Sequence, residues 1–146
     1  MGQGAAMTDA RERIVGLAGE LGAAAVARHP ELWRADALPP DLWRDWADAG
    51  LLGLSAPAEF GGAGFGVDDV ATAARAFLKT SGVQGLATIW QSHNLMADWV
   101  FNHFADAAQR AEWLPRIATG AATVAFAVSE PGAGAHPKKL QTRARQ

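Results

Sequence analysis

Apolar residues recur through most of the chain at the three- and four-residue spacing that lines one face of a helix. Ile14, Leu17, Ala18, Leu21 and Ala25 form the first stripe, introduced by Asp9 and Glu12 at capping-box spacing and closed by His29-Pro30. Pro39-Pro40-Asp41 opens a second helix that turns Leu42, Trp43, Trp46 and Ala47 inward and stops at Gly50. Leu51-Leu52-Gly53-Leu54 then leads into residues 55–66, which hold too much glycine for a helix or a strand interior. Asp68 and Asp69 suit the positive end of a third helix carrying Val70, Ala73, Ala74, Phe77 and Leu78, with Gly82 as its break. A fourth, from about Val83 to Phe104, is apolar on several sides through Leu86, Ile89, Trp90, Met96, Val100 and Phe101, as expected of a central helix. A fifth runs from about Asp106 to Glu112 and is expected to give way at Leu114-Pro115.

The pattern changes at Thr123-Val124-Ala125-Phe126-Ala127-Val128, a continuous apolar run that predicts a strand, with a second expected from Leu140 to Arg145. The fold class is therefore mainly α. A helical domain over residues 1–121 precedes residues 122–146, which read as the start of a β domain. Two strands alone are marginal in water, so this β portion reads as part of a larger sheet. Between the strands lies Ser129-Glu130-Pro131-Gly132-Ala133-Gly134-Ala135-His136-Pro137. Gly132 and Gly134 are expected to permit positive φ and a close approach to a flat ligand, and Ser129 and Glu130 place polar groups at a strand end. A tight strand-to-strand connection explains the same residues.

Composition narrows the function classes. The 146 residues carry a formal net charge of −2 and include six Trp, six Phe and no Cys. This is a globular composition without a disulfide framework or a thiolate nucleophile, and it suits a reducing compartment. The basic residues are scattered apart from Lys138, Lys139, Arg143 and Arg145, which read as a solvated tail, so nucleic acid is not indicated. No apolar run approaches the roughly 20 residues of a membrane span, and Met1–Ala6 lacks the basic start and apolar core of a secretory signal. A soluble cytoplasmic protein is the expectation.

His29, His93, His103 and His136 lack the spacing that joins two imidazoles on one helix face, so no metal site is expected. Gly61-Gly62-Ala63-Gly64-Phe65-Gly66 fits neither phosphate-binding pattern: Val67 stands where the dinucleotide motif needs its third glycine, and no Lys-Ser/Thr pair follows. A rigid turn with Phe60 and Phe65 in the core is favoured. Gln91-Ser92-His93-Asn94 interrupts the fourth helix and reads, from the residues alone, as an exposed polar stripe ahead of a pocket wall. Glu130 reads as a loop carboxylate that is exposed or bonded to nearby amides, and the aromatic residues read as core before ligand platform.

Four stretches, in this order and at these separations, resemble the amino-terminal part of the acyl-CoA dehydrogenase family. They are Leu38–Trp43 leading to Gly50–Leu54, Pro57–Gly64, Ala111–Gly120, and Ala125–His136. The resemblance implies a helical amino-terminal domain followed by the first one or two strands of a β domain, with FAD and an acyl-CoA thioester as ligands of the complete enzyme. It further implies that Phe126, Val128, Ser129, Gly132, Gly134 and Ala135 line FAD. By spacing from that loop, Ser92, His93 and Met96, together with Ala135, fall at the substrate. An electron-transfer partner and a homo-oligomer are implied for the complete enzyme. Ala135-His136 stands where the family usually has Ser-Asp, which removes one polar contact. The family's catalytic carboxylate lies in its carboxy-terminal domain, so no catalytic residue is assigned and the chain alone is expected to be inactive. The rival readings are a flavin monooxygenase or oxidase of the same architecture and a non-catalytic, partner-binding helical module.

Overall fold

The computed structural model describes residues 2–144. Among them are five helices of nine or more residues: α1 Gly2–Arg28, α2 Pro40–Asp48, α3 Val67–Ser81, α4 Gln84–Met96 and α5 Ala107–Ala118. The first helix starts ahead of its expected cap and runs through Asp9 without a break. Its far half lies along α3, where small residues allow the backbones to approach. A Cβ on Gly22 would stand 2.6 Å from the Phe77 carbonyl oxygen, and the Thr80 hydroxyl donates to the Gly19 carbonyl at 2.8 Å.

The α2 boundaries follow the sequence signals: Pro40 occupies the first turn, and Gly50, at φ 70°, ends the turn that closes the helix. The Asp69 carboxylate accepts from the Gly66 amide at 3.2 Å and caps α3. Beyond Met96 the fourth helix continues as a π turn, Ala97–Phe101, and a last α turn, Asn102–Phe104. Asp106 and Gln109 form a reciprocal capping box on α5, with bonds of 2.8 and 2.9 Å. Contrary to expectation, α5 passes through Pro115 to Ala118. Burial of Leu114, Ile117 and Ala118 on one side holds the last turn, although proline removes one ladder bond.

The core gathers Leu42 and Trp46 of α2, Val70, Ala73 and Phe77 of α3, and Leu86 and Trp90 of α4. Trp46 meets Phe77 edge-on at 5.6 Å between centroids. The segment 51–56 is buried throughout and enters this core as one 3-10 turn, Leu51–Gly53, followed by irregular backbone, so its polar groups need partners. Trp90 Nε1 donates to the Leu51 carbonyl at 2.8 Å. Asn94 donates to the same oxygen at 3.0 Å and accepts from the Leu54 amide at 3.0 Å. The glycine tract folds back on this segment: Ala63 donates to Gly53 and Phe65 to Leu54, at 2.9 and 2.8 Å. It is the rigid turn expected, with Phe65 buried, whereas Phe60 is half-buried beneath the Arg110 guanidinium at 5.5 Å. The aromatic residues divide: Trp46, Trp90 and Phe77 are core, while Trp33, Trp99, Phe104 and Phe126 are exposed.

Neither expected strand forms a ladder among the described residues. Residues 123–129 carry no regular secondary structure, and the nearest β pairing is a single bridge between Glu130 and Ala133. The physical reason is the one that makes a two-stranded sheet marginal: without further strands or a covering layer, main-chain groups bond as well to water. The second run, Leu140 to Arg145, likewise pairs with no strand in its described part, through residue 144. The helical assignment of the fold stands without them. No helix among the described residues is long and apolar enough to cross a membrane.

Candidate functional site

On leaving α5, residues 119–125 run beside α2 and α4. Gly120, at φ 75°, turns the chain out of the helix, and Trp43 Nε1 donates to its carbonyl at 2.9 Å. Four residues on, the Val124 amide donates to His93 Nδ1 at 3.4 Å, while His93 Nε2 lies 3.1 Å from the Ile117 carbonyl oxygen. A carbonyl only accepts and an amide only donates, so the two partners assign the proton to Nε2. The Trp43 ring stands edge-on to the imidazole at 4.9 Å. Thus His93 and Asn94 are buried inward-facing groups, and the exposed-stripe reading of residues 91–94 is corrected. At 3.6 residues per turn, their side of α4 meets the buried 51–56 segment and the end of α5.

An apolar groove of about 580 Å³ opens beside this contact, between Leu38, Trp43, Ile89, His93, Val124 and Ala125. Arg44 and His93 are the ionisable groups of its lining, and no carboxylate is among them. Ser92 and Met96, four residues apart on α4 and both half-buried, are not part of that lining. The groove ends at Ala125, where the loop of candidate cofactor contacts begins. There Phe126 is 66% exposed, Ser129, Gly132 and Ala135 are exposed, and Val128 and Gly134 are half-buried. Among the described residues, the main-chain amides of Ala125 through Ser129 donate no hydrogen bond within the chain.

The turn itself is built from two bonds, Glu130 N–H to Ala133 at 2.8 Å and Ala133 N–H to Glu130 at 3.0 Å. Ala133 is buried beneath it. Gly132 and Gly134 do not take the positive φ expected of them. With Pro131 at the corner, the turn closes without it, and Gly132 instead leaves open space where a Cβ would stand. The Ser129 hydroxyl lies over Gly134, 3.5 Å from where a Cβ would stand. The Glu130 carboxylate accepts from the amides of Gln141 and Thr142, at 2.6 and 3.0 Å, and from the Thr142 hydroxyl. These bonds, the Thr142 hydroxyl foremost, hold its carboxyl below the usual range. Glu130 therefore ties down the following segment. Among the described residues no cluster of three or more His, Asp or Glu is placed to hold a metal.

Residues 8–121 match the family description "Acyl-CoA dehydrogenase, N-terminal domain". The chain belongs to the acyl-CoA dehydrogenase family. Acyl-CoA dehydrogenase FadE12 of Mycobacterium tuberculosis is 31% identical over 106 residues, which are 73% of this chain and 26% of the relative. An L-prolyl-[peptidyl-carrier protein] dehydrogenase of Pseudomonas fluorescens is 36% identical over 104 residues, 69% of this chain and 27% of the relative. Acryloyl-CoA reductase (NADH) of Anaerotignum propionicum is 32% identical over 114 residues, 78% of this chain and 28% of the relative. The chain thus spans about a quarter of the length of the curated relatives it matches. For this acyl-CoA dehydrogenase domain, sequence reasoning did not pick out Trp43 and Asn94 as polar anchors. Both sit at helical spacings, and only their partners in other elements reveal a polar role.

Burial fixes the charge state of His93. The ring is essentially inaccessible, and desolvation holds its pKa below the ordinary value, outweighing the Ile117 and Leu52 carbonyls that favour the charged form. In the unfolded chain the imidazole takes up a proton near pH 6.5, whereas in the folded chain it resists, so the unfolded state binds more protons between the two pKa values. Stability is complete above about pH 6.5 and falls as pH drops below it, by at most about 1.4 kcal/mol per pH unit from this group. Denaturant unfolding at pH 7.5, 6.5 and 5.5 should show that slope, and His93→Gln should remove its largest part. The Asp41 carboxyl, lowered chiefly by its bond to His29, and Glu130 act in a separate, more acidic window. What they contribute is present above the ordinary carboxylate range and lost as pH falls through their lowered values. A flat profile between pH 7.5 and 5.5 would refute the assignment to His93.

Proposed function

We propose that this chain forms the amino-terminal wall of a flavin-dependent acyl-CoA dehydrogenase, with FAD against residues 126–135 and the acyl thioester nearby. In this reading the helical domain ends at residue 121 and residues 122–146 open the β domain. The observation that carries it is the run of amides from Ala125 to Ser129 that donate no hydrogen bond among the described residues, set beside an apolar groove in a member of this family. Main-chain donors and the Ser129 hydroxyl suit the polar edge of a flat heteroaromatic ring, and open space at Gly132 lets such a ring approach. When bound, FAD would supply the redox chemistry by accepting hydride from the substrate β carbon.

The chain's own residues position and shield. The apolar groove beside the loop would exclude water once an acyl chain filled it, and Ala135 and Met96 offer apolar surface to such a chain, while Ser92 offers a hydroxyl. Dehydrogenation also needs a base at the α carbon, and proton transfer requires that base within hydrogen-bond reach. The groove lining has no carboxylate, and His93 has both ring nitrogens committed. The chain by itself therefore binds and orients without turnover. The complete enzyme would be a soluble cytoplasmic homo-oligomer that passes electrons to a partner.

Titration of FAD with the purified 146-residue chain, read by flavin fluorescence anisotropy, tests the cofactor face. A dye-reduction assay with acyl-CoA substrates tests the inactivity. Anisotropy should rise and the dye should stay oxidised. Anisotropy unchanged at saturating chain would count against the flavin-facing loop, and dye reduction would show that a base has been overlooked.

A further inference from the structure

The loop 126–135 hangs from a short run of backbone that is fastened at three points. The Ile117 carbonyl takes the Nε2–H of His93, the Gly120 carbonyl takes the indole N–H of Trp43, and the Val124 amide gives its proton to His93 Nδ1. Ala122 closes back on Arg116 at 3.0 Å, so residues 116–124 form one anchored turn. After Val124, among the described residues, no main-chain amide donates until Glu130 bonds Ala133. Val124 is thus the last anchored amide before five unanchored ones, and its position sets where those five lie.

From this arrangement, we propose that His93 is a positioning residue for the 126–135 loop: its imidazole bridges the end of α5 to Val124 and so sets where the following free amides point. An imidazole suits this task because its acceptor and its donor are held at a fixed separation in one plane. The acceptor faces Val124 and the donor faces Ile117, which a single tautomer satisfies. Rotation of the imidazole about its Cβ–Cγ bond is restrained by the Trp43 ring packed against it, itself fastened to Gly120. His93 then acts on a bound ligand through the main chain, without touching it by a ring nitrogen. The consequence for flavin rests on the function proposed above; the clamp itself does not.

Two substitutions in the full chain separate the contacts. In His93→Asn the side-chain oxygen stands near the place of Nδ1 and keeps an acceptor for Val124, but nothing reaches Ile117. In His93→Gln the terminal amide reaches the place of Nε2 and Val124 loses its acceptor. Amide hydrogen exchange across residues 121–129, read beside FAD anisotropy and the unfolding midpoint, distinguishes them. Loss of one neutral hydrogen bond is worth about five- to tenfold in an equilibrium. His93→Gln should therefore speed exchange at Val124 about five- to tenfold and weaken FAD by a similar factor, while His93→Asn stays near the parent in both. The two should lower the unfolding midpoint to comparable extents.

Equal exchange at Val124 in the two variants would overturn the clamp and leave His93 a core residue. Faster exchange in His93→Gln with no FAD binding by any form, the parent included, would keep the clamp and remove the flavin reading. Should the variants not fold, the parent decides: imidazole 15N spectra must show the proton on Nε2 and a bare Nδ1, and the opposite tautomer overturns the proposal.

Discussion

Replacing Gly62 with alanine is expected to cost about 3 kcal/mol of stability, the upper end of what overpacking a well-filled site costs. The new Cβ would stand 2.0 Å from the Ala56 carbonyl oxygen and 2.4 Å from its carbon. These are backbone atoms of the buried 51–56 segment and cannot swing aside as a side chain can. Relief would require the glycine tract to lift away, which strains the bonds from Ala63 to Gly53 and from Phe65 to Leu54. Gly132→Ala is the control, since a Cβ there meets nothing within 4 Å and its φ is not positive. Urea unfolding at constant m-value measures both. A loss under about 1 kcal/mol for Gly62→Ala would mean that the tract is not seated against residues 51–56.

A comparable loss, about 3 kcal/mol, is expected of Asn94→Leu, because a buried donor or acceptor left bare costs about 1–3 kcal/mol. Leucine nearly preserves volume, so the cost isolates hydrogen bonding from cavity formation. The Leu54 amide would lose its acceptor, and the Leu51 carbonyl would keep only the Trp90 indole. The Ser55 hydroxyl, which donates to the Asn94 carbonyl at 2.5 Å, depends on main chain and should persist. Local loosening should accompany the global loss, with faster amide exchange at Leu54 than at Val70 of α3. Stability within about 1 kcal/mol of the parent would mean that water or a shifted backbone serves these groups as well as Asn94 does. Against a total stability of roughly 5–15 kcal/mol, either substitution removes a large share.

The two sites also mark how far the residues alone could be read. The glycine tract could be separated from phosphate loops by spacing, because those motifs require particular residues at particular positions. What Gly62 is for is decided by its seat against Ala56, which spacing does not encode. At Asn94 the residues pointed the wrong way: a polar run in an apolar helix is more often a wet face, and nothing nearby in the chain announces a partner 40 residues away. Pro115 misled for a related reason, since proline weakens a helix locally while the burial that carries α5 to Ala118 is tertiary.

Within the candidate site, the loop 126–135 was legible as the place where helical patterning ends and Gly, Pro and polar residues converge. The strands around it were not, because a strand is completed by its neighbours and a continuous apolar run states only that neighbours are wanted. Residue type alone favours positive φ at Gly132 and Gly134. The structure uses Pro131 to make the turn and leaves both glycines in ordinary conformations.

By itself the sequence determined the five helices, most of their ends and the family, since periodicity, caps and ordered local motifs are properties of neighbouring residues. The tertiary structure alone decided that His93 and Asn94 face inward, that Trp43 and His93 fasten the backbone ahead of the loop, and that the amides of residues 125–129 donate to no group among the described residues. Those outcomes depend on which groups meet across 24 to 77 positions of chain. Hydrogen bonding at such separations is set by packing, which no local spacing encodes.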